Sequence, residues 1–220
     1  MITLSNVYKS FNDGMKTVDV LKGIDLNISE GEMVALMGKS GSGKSTLINI
    51  IGGLIAPTSG SVFIDDKEND YTDSNALFKL RRAKVGFVLQ DFALINRRTV
   101  LDNITFAVRT KEYREHKYAK VKDLLNEVGL EKKIGEYPFN LSNGEKQRVA
   151  IVRALVDNKK ILLADEPTGS LDEYNSSLII DIIRRRVKEN KTTALIVTHD
   201  PDVAKKCDRI LRIDYGKIVE

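Results

Sequence analysis

The sequence predicts an α/β fold with a mostly parallel sheet, an antiparallel β region and an inserted helical sub-lobe. Three observations carry that reading. Short apolar runs recur at Met33-Val34-Ala35-Leu36-Met37, Val85-Gly86-Phe87-Val88-Leu89, Ile161-Leu162-Leu163-Ala164 and Ala194-Leu195-Ile196-Val197-Thr198. Runs of that length without alternation read as strands buried on both faces. Ile2-Thr3-Leu4 and Ile24-Asp25-Leu26-Asn27-Ile28 alternate instead, on either side of a turn signal at Asn12-Asp13-Gly14, as antiparallel strands do. The stretch between the second and third apolar runs is mostly helical in its periodicity.

The chain has 220 residues, with 42% hydrophobic and 30% charged, which fits one sizeable soluble domain or a domain with a sub-lobe. A net charge of +4 is too weak to argue for nucleic acid. It suits an anionic ligand or an anionic membrane face. The single cysteine, Cys207, excludes an internal disulfide and suits a reducing compartment. The opening MITLSNVYKSF has no apolar core of a signal peptide. No apolar run approaches the roughly 20 residues that span a bilayer.

The first chemical signal is GKSGSGKST, residues 38–46. Gly38, Gly43, Lys44 and Ser45 occupy the fixed places of a phosphate-binding loop, and Lys39, Ser40, Gly41, Ser42 and Thr46 complete the stretch. Glycines let successive amides turn inward toward phosphate oxygens. Lys44 places a point charge on the β- and γ-phosphates, and the Ser45 hydroxyl can ligate Mg²⁺. The loop follows an apolar strand and precedes Leu47, Ile48, Ile50, Ile51, Leu54 and Ile55 at helical spacing. It therefore sits at a helix N-terminus, where free amides and the macrodipole favour an anion. Gly52 and Gly53 weaken that helix late, and Pro57 stops it. Together these make a P-loop NTPase core.

Phe11 closes the first strand and can stack on a purine ring or serve as an edge aromatic; Tyr8 is the rival. Ser61-Val62-Phe63-Ile64-Asp65 is a strand, residues 67–74 are a polar connection, and 76–84 form a helix with Arg81, Arg82 and Lys84 on a solvated face. The strand at 85–89 ends in Gln90.

About 120 residues separate Lys44 from Asp165, where a minimal βαβ step needs about 30. Most of the excess is helical: Val100, Leu101, Ile104 and Val108 over 99–109; Val121, Leu124, Leu125 and Val128 over 117–128; Val149, Ala150, Val152, Leu155 and Val156 over 143–156. The expected division is a nucleotide-binding core with antiparallel β region at 1–90 and 159–220, and a helical sub-lobe at about 91–158. The last of these helices opens Ser142-Asn143-Gly144-Glu145, a capping box. It is either a well-capped helix or a second anion site.

ILLADE (161–166) is a buried strand presenting Asp165 at its C-terminal end, the end where open α/β sheets bind ligands. Asp165 suits Mg²⁺, and Glu166 could polarise a water. Thr168–Asp172 leads into a helix with Leu178, Ile179, Ile182, Ile183 and Val187 inward and Arg184-Arg185-Arg186 solvated. His199 ends the strand at 194–198; the pattern alone leaves it a structural histidine or a γ-phosphate contact. The chain finishes with Arg209–Ile213, a turn at Tyr215-Gly216 and Lys217-Ile218-Val219.

Taken together, these motifs resemble the nucleotide-binding cassette of ABC transporters, over essentially the full chain and in the family's order. GKSGSGKST matches Walker A, Gln90 the Q-loop, LSNGEKQ (141–147) the signature, ILLADE Walker B with its catalytic glutamate, SLD (Ser170, Leu171, Asp172) the D-loop, and His199 the switch histidine. Phe11 falls where the family keeps its adenine-stacking aromatic. LKGIDLNISEGEMVALMG, LADEPTGSLD and VTHDPDVA are similar to the ATPases of macrolide-export, lipoprotein-release and antimicrobial-peptide-export systems.

The resemblance implies an ATP-hydrolysing subunit, peripheral on the cytoplasmic face of the membrane. It would form a homodimer around ATP and drive a separate permease with a large extracytoplasmic domain, exporting a peptide, antibiotic, lipoprotein or similar amphiphile. An alternative within the resemblance is the ATPase of a transmembrane signalling complex. Nucleic acid is not an expected partner, because the chain has one cassette and no sustained heptads. In that scheme Ser45, Gln90 and Asp165 organise Mg²⁺, Glu166 polarises the attacking water, His199 holds the γ-phosphate and Lys44 neutralises charge. Ser142, Asn143, Gly144 and Glu145 close over the other copy's ATP. The signature departs from the usual LSGGQ: Asn143 adds a side chain, and Glu145 brings a negative charge unless the capping box turns it away.

Overall fold

The computed structural model describes residues 1–12, 14, 16–106 and 113–219, with side chains in the fourth helix described from residue 118. The elements are β1 (Ile2–Asn12), β2 (Thr17–Ile28), β3 (Met33–Met37), α1 (Lys44–Ile51), β4 (Ser59–Ile64), β5 (Lys67–Glu68), α2 (Ser74–Lys84), β6 (Val85–Val88), α3 (Val100–Phe106), α4 (Tyr113–Glu127), α5 (Asn143–Leu155), β7 (Ile161–Asp165), α6 (Glu173–Asn190), β8 (Thr193–Val197), α7 (Pro201–Lys205), β9 (Arg209–Asp214) and β10 (Lys217–Val219).

Two sheets organise the molecule. Six strands run in the order β10-β9-β3-β8-β7-β6, parallel except for the β9–β10 hairpin. The other sheet, β2-β1-β4-β5, is antiparallel throughout. The apolar runs build the first sheet because their alternate residues serve two cores. Met33, Leu162 and Ala164 face the core made with α3–α7. Val34, Leu36, Ile161 and Leu163 face the core shared with α1 and the antiparallel sheet. A strand covered on both faces needs no polar side.

Helix α1 buries Leu47, Ile48, Ile50 and Ile51 between the two sheets. It ends at Ile51, so Leu54 and Ile55 do not extend it, and Leu54 is exposed. Gly52 caps it in ordinary helical backbone and the chain turns left-handed at Gly53, φ 67°, while a Cβ on Gly52 would lie 2.1 Å from the Phe87 ring. The polar connection at 67–74 is more structured than its composition implies. Lys67–Glu68 pair with β4, Asp73 caps α2, and Tyr71 donates to the Ile50 carbonyl at 2.6 Å.

The basic residues read as solvated are mostly engaged. Arg81 donates to the Gly53 carbonyl at 2.5 Å and Lys84 pairs with Asp65 at 2.6 Å. Arg185 and Arg186 both grip Glu127 of α4, at 2.6 and 2.7 Å.

Between β6 and β7 lie α3, α4 and α5. Val100 and Ile104 of α3 and Val121, Leu124 and Leu125 of α4 pack in one core with α5. Helix α5 also contacts β6 directly, so it bridges the helical segment and the main sheet. Val108 and Asp13, named in the helix and turn readings above, lie outside the described residues.

Candidate active site

The site forms where β3, β7 and β8 end on the same edge of the sheet. Met37 delivers the chain to the 38–43 loop, and α1 begins at Lys44. Gly43 is the N-cap in the left-handed region, at φ 105°. A Cβ on Gly43 would stand 2.8 Å from Leu21 Cδ2, and one on Gly38 would stand 2.3 Å from the Ile213 carbonyl. Only glycine lets the loop pass so close to its neighbours. The Lys44 ammonium folds back over the loop, donating to the Gly38 carbonyl at 2.7 Å and the Lys39 carbonyl at 2.8 Å. The Ser42 hydroxyl is buried without a hydrogen-bond partner.

Asp165 ends β7 and is buried. The chain then kinks: Glu166 takes φ 50°, and its amide donates to the Val197 carbonyl at 3.0 Å. The Glu166 Oε2 lies 3.0 Å from His199 Nδ1. His199 follows the end of β8 and keeps 76% of its side chain exposed.

A cleft of about 890 Å³ gathers the phosphate loop, Gln90, Asn143, Asp165, Glu166, Ser170 and His199. Of the residues proposed from sequence, Phe11, Lys39, Ser42, Ser142, Gly144, Glu145, Leu171 and Asp172 do not line it. Phe11 is exposed under the Lys9 ammonium, 4.9 Å from its ring centre. Leu171 lines a neighbouring cavity of about 470 Å³ that shares Glu166 and His199. Asp172 caps α6.

The capping box of α5 is complete. Ser142 Oγ accepts from the Glu145 amide at 3.2 Å, and Glu145 Oε2 accepts from the Ser142 amide at 2.8 Å. That backbone hydrogen bond holds the Glu145 carboxyl below its ordinary range, against a smaller opposing effect of burial.

Four cleft residues are not among the site residues expected from sequence: Val20, Phe92, Gln147, the last residue of the LSNGEKQ stretch, and Gly169. Gln147 had a usable signal, one helical turn after Asn143 on the same face. It is 1% exposed, and its side-chain amide nitrogen has no partner. Arg153 had none. Its guanidinium donates to the carbonyls of Phe92 and Ala93, two non-glycine residues at φ 63° and 44°. Such conformations cost about 1–3 kcal/mol each and persist only where the surroundings hold them.

Residues 21–169 match the family model described as ABC transporter. The chain belongs to the ABC transporter family. As an ABC cassette it is an ATPase. The ABC transporter ATP-binding protein YvrO of Bacillus subtilis is 44% identical over 224 residues, covering 100% of this chain and 96% of the relative. The lipoprotein-releasing system ATP-binding protein LolD of Legionella pneumophila is 40% identical, covering 99% and 96%. The macrolide export ATP-binding/permease protein MacB of Salmonella typhi is 41% identical over 220 residues, all of this chain but 34% of the relative. Among solved structures, a dimeric MJ0796 cassette superposes with a TM-score of 0.93 at 40% identity, covering 100% of this chain and 97% of that one. A second MJ0796 dimer, in a post-hydrolysis state bound to ADP and Pi, gives the same TM-score at 38% identity and the same coverage.

Proposed function

We propose that this ABC cassette clamps ATP between two copies of itself, and that hydrolysis releases the clamp to drive a membrane permease. The observation that carries the reading is the convergence of Lys44, Ser45, Gln90, Asp165, Glu166 and His199 on one cleft. The chain acts as a single ABC ATPase domain, with the helical segment at about 91–158 set into the nucleotide-binding core.

Lys44 exchanges the carbonyls of Gly38 and Lys39 for β- and γ-phosphate oxygens. Glu166 orients and polarises the attacking water, and His199 holds the γ-phosphate through its second ring nitrogen while Nδ1 faces Glu166. Phosphoryl transfer asks mainly for position and charge neutralisation. Phe11 stacks on adenine. Ser142, Asn143 and Gly144 close over the other copy's triphosphate, and the capping box keeps Glu145 turned from it. Ser170, Leu171 and Asp172 line the subunit boundary.

Mg²⁺ fits the donor set. Among the described residues no three His, Cys, Asp or Glu could hold a metal. Ser45, Gln90 and Asp165 offer hard oxygens with one carboxylate, the pattern of an ion that shares its shell with phosphates and water. When bound, Mg²⁺ neutralises charge on the β- and γ-phosphates.

The partner we infer is a permease with a large extracytoplasmic domain. MacB's name joins ATP-binding and permease functions, and this chain covers the length of only about a third of it. No described helix is long and apolar enough to cross a membrane. The cassette would then sit on the cytoplasmic face, powering export of a peptide, antibiotic, lipoprotein or similar amphiphile. Gel filtration of Glu166→Gln with Mg-ATP, followed by co-purification from membranes, tests both parts. A dimer that elutes with a permease is expected; a persistent monomer contradicts the clamp.

A further inference from the structure

We propose that Arg153 is a positioning residue for the reaction: it holds the loop just past Gln90 in a conformation that ordinary residues avoid, and so sets where the Gln90 amide reaches. The inference rests on the role given above to Gln90.

The loop turns tightly. The Phe92 amide donates to the Leu89 carbonyl at 3.0 Å, which places Gln90 inside the turn. The turn then runs through two successive left-handed residues, Phe92 and Ala93, neither of them glycine. Backbone of that kind persists only where neighbours over-determine it. Arg153 does so from α5. One guanidinium nitrogen donates to the Phe92 carbonyl at 2.7 Å and the other to the Ala93 carbonyl. A planar fork matches two adjacent carbonyls, and a lysine ammonium does not.

Both ends of the loop are fixed. Downstream, buried Asn103 accepts from the Ile95 amide at 2.7 Å and donates to the carbonyls of Ile95, Arg98 and Thr99 at 3.0–3.1 Å. Upstream, β6 is locked in the sheet. Arg153 is anchored by its buried neighbours Val152 and Ala154. Helix α5 carries Ser142 at its N-cap and Arg153 in its last turn.

The test uses the full chain with Mg²⁺ and ATP. Arg153→Met keeps the side-chain stem and removes the fork. We expect kcat to fall about tenfold, KM for ATP to stay within about twofold, and the Mg²⁺ concentration for half-maximal rate to rise about threefold. Adding Ala93→Gly removes the left-handed penalty and should restore about half of the lost rate or more. Ala93→Gly alone should stay within about twofold of the parent. Arg153→Lys should fall between, and it carries the same rescue test should the methionine variant not fold. An unchanged rate in Arg153→Met overturns the inference. So does a loss that Ala93→Gly fails to recover while the Mg²⁺ dependence stays put. Gln90→Ala separates the two layers: normal turnover there refutes the Gln90 role, whereas impairment there with a normal Arg153→Met refutes only the positioning role.

Discussion

Glu166 Oε2 and His199 Nδ1 lie 3.0 Å apart, although 33 residues separate them in the chain. The contact exists because β7 and β8 are adjacent parallel strands ending on one edge, and because Glu166 turns at positive φ. The carboxylate is thereby placed beside the imidazole. Glu166→Gln keeps the side-chain size and a hydrogen-bonding oxygen but loses the basic group. ATP should still bind, and phosphate release at saturating ATP should fall about 10²-fold or more, the scale of a lost general base.

Lys44 is stored on the carbonyls of Gly38 and Lys39, so no other side chain must move to free it. Lys44→Ala should fold, because the phosphate loop's shape rests on glycines and on the α1 core. It should weaken ATP binding at least about tenfold, as for loss of a charge-assisted contact worth about 1.5–3 kcal/mol. Equilibrium dialysis with labelled ATP measures this.

Glu145 is occupied by the Ser142 amide. Glu145→Gln preserves a capping box and should leave ATP-driven dimerisation within about twofold; a marked tightening would show that its charge does reach the triphosphate. Because its folded pKa is depressed, Glu145 contributes stability in full above its unfolded value, about 4.3. That contribution drains away as the pH falls through the lower folded value. Glu145→Gln should therefore flatten the pH dependence of the melting temperature below about pH 4.3 and leave it unchanged near neutrality.

Cys207 is the chain's only thiol. Burial, reinforced by the Asp208 carboxylate, pushes it up to about 12, so little thiolate forms at neutral pH. Iodoacetamide at pH 8 should label the native protein much more slowly than the same protein in denaturant.

The sequence made the chemistry legible wherever function sits in a local motif. The strand, loop and helix around Gly38–Ser45, the acids ending β7 and the capping box at Ser142 are all contiguous, and each residue type has a local physical reason. Contacts that tertiary structure alone creates stayed out of view. The Glu166–His199 pair needs the strand order. The grip of Arg185 and Arg186 on Glu127 needs α4 beside α6. Arg153 looked like any polar residue on an amphipathic helix. Nothing near it predicts that Phe92 and Ala93 adopt left-handed backbone and need its fork. The glycines after α1 are half legible: Gly52 and Gly53 signal a weak helix end, but the Phe87 ring that leaves no room for a side chain at Gly52 lies in another strand.

Two copies joined through nucleotide are the centre of this account, and one structure tests it most directly. The Glu166→Gln protein should be crystallised or imaged with Mg-ATP, and the position of Ser142 measured against each triphosphate. The account predicts a two-fold pair in which the Ser142 hydroxyl of each copy lies within hydrogen-bonding reach of the γ-phosphate held by the other's Lys44. A nucleotide-filled structure in which Ser142 stands remote from every phosphate, in every pairing of copies, would contradict it.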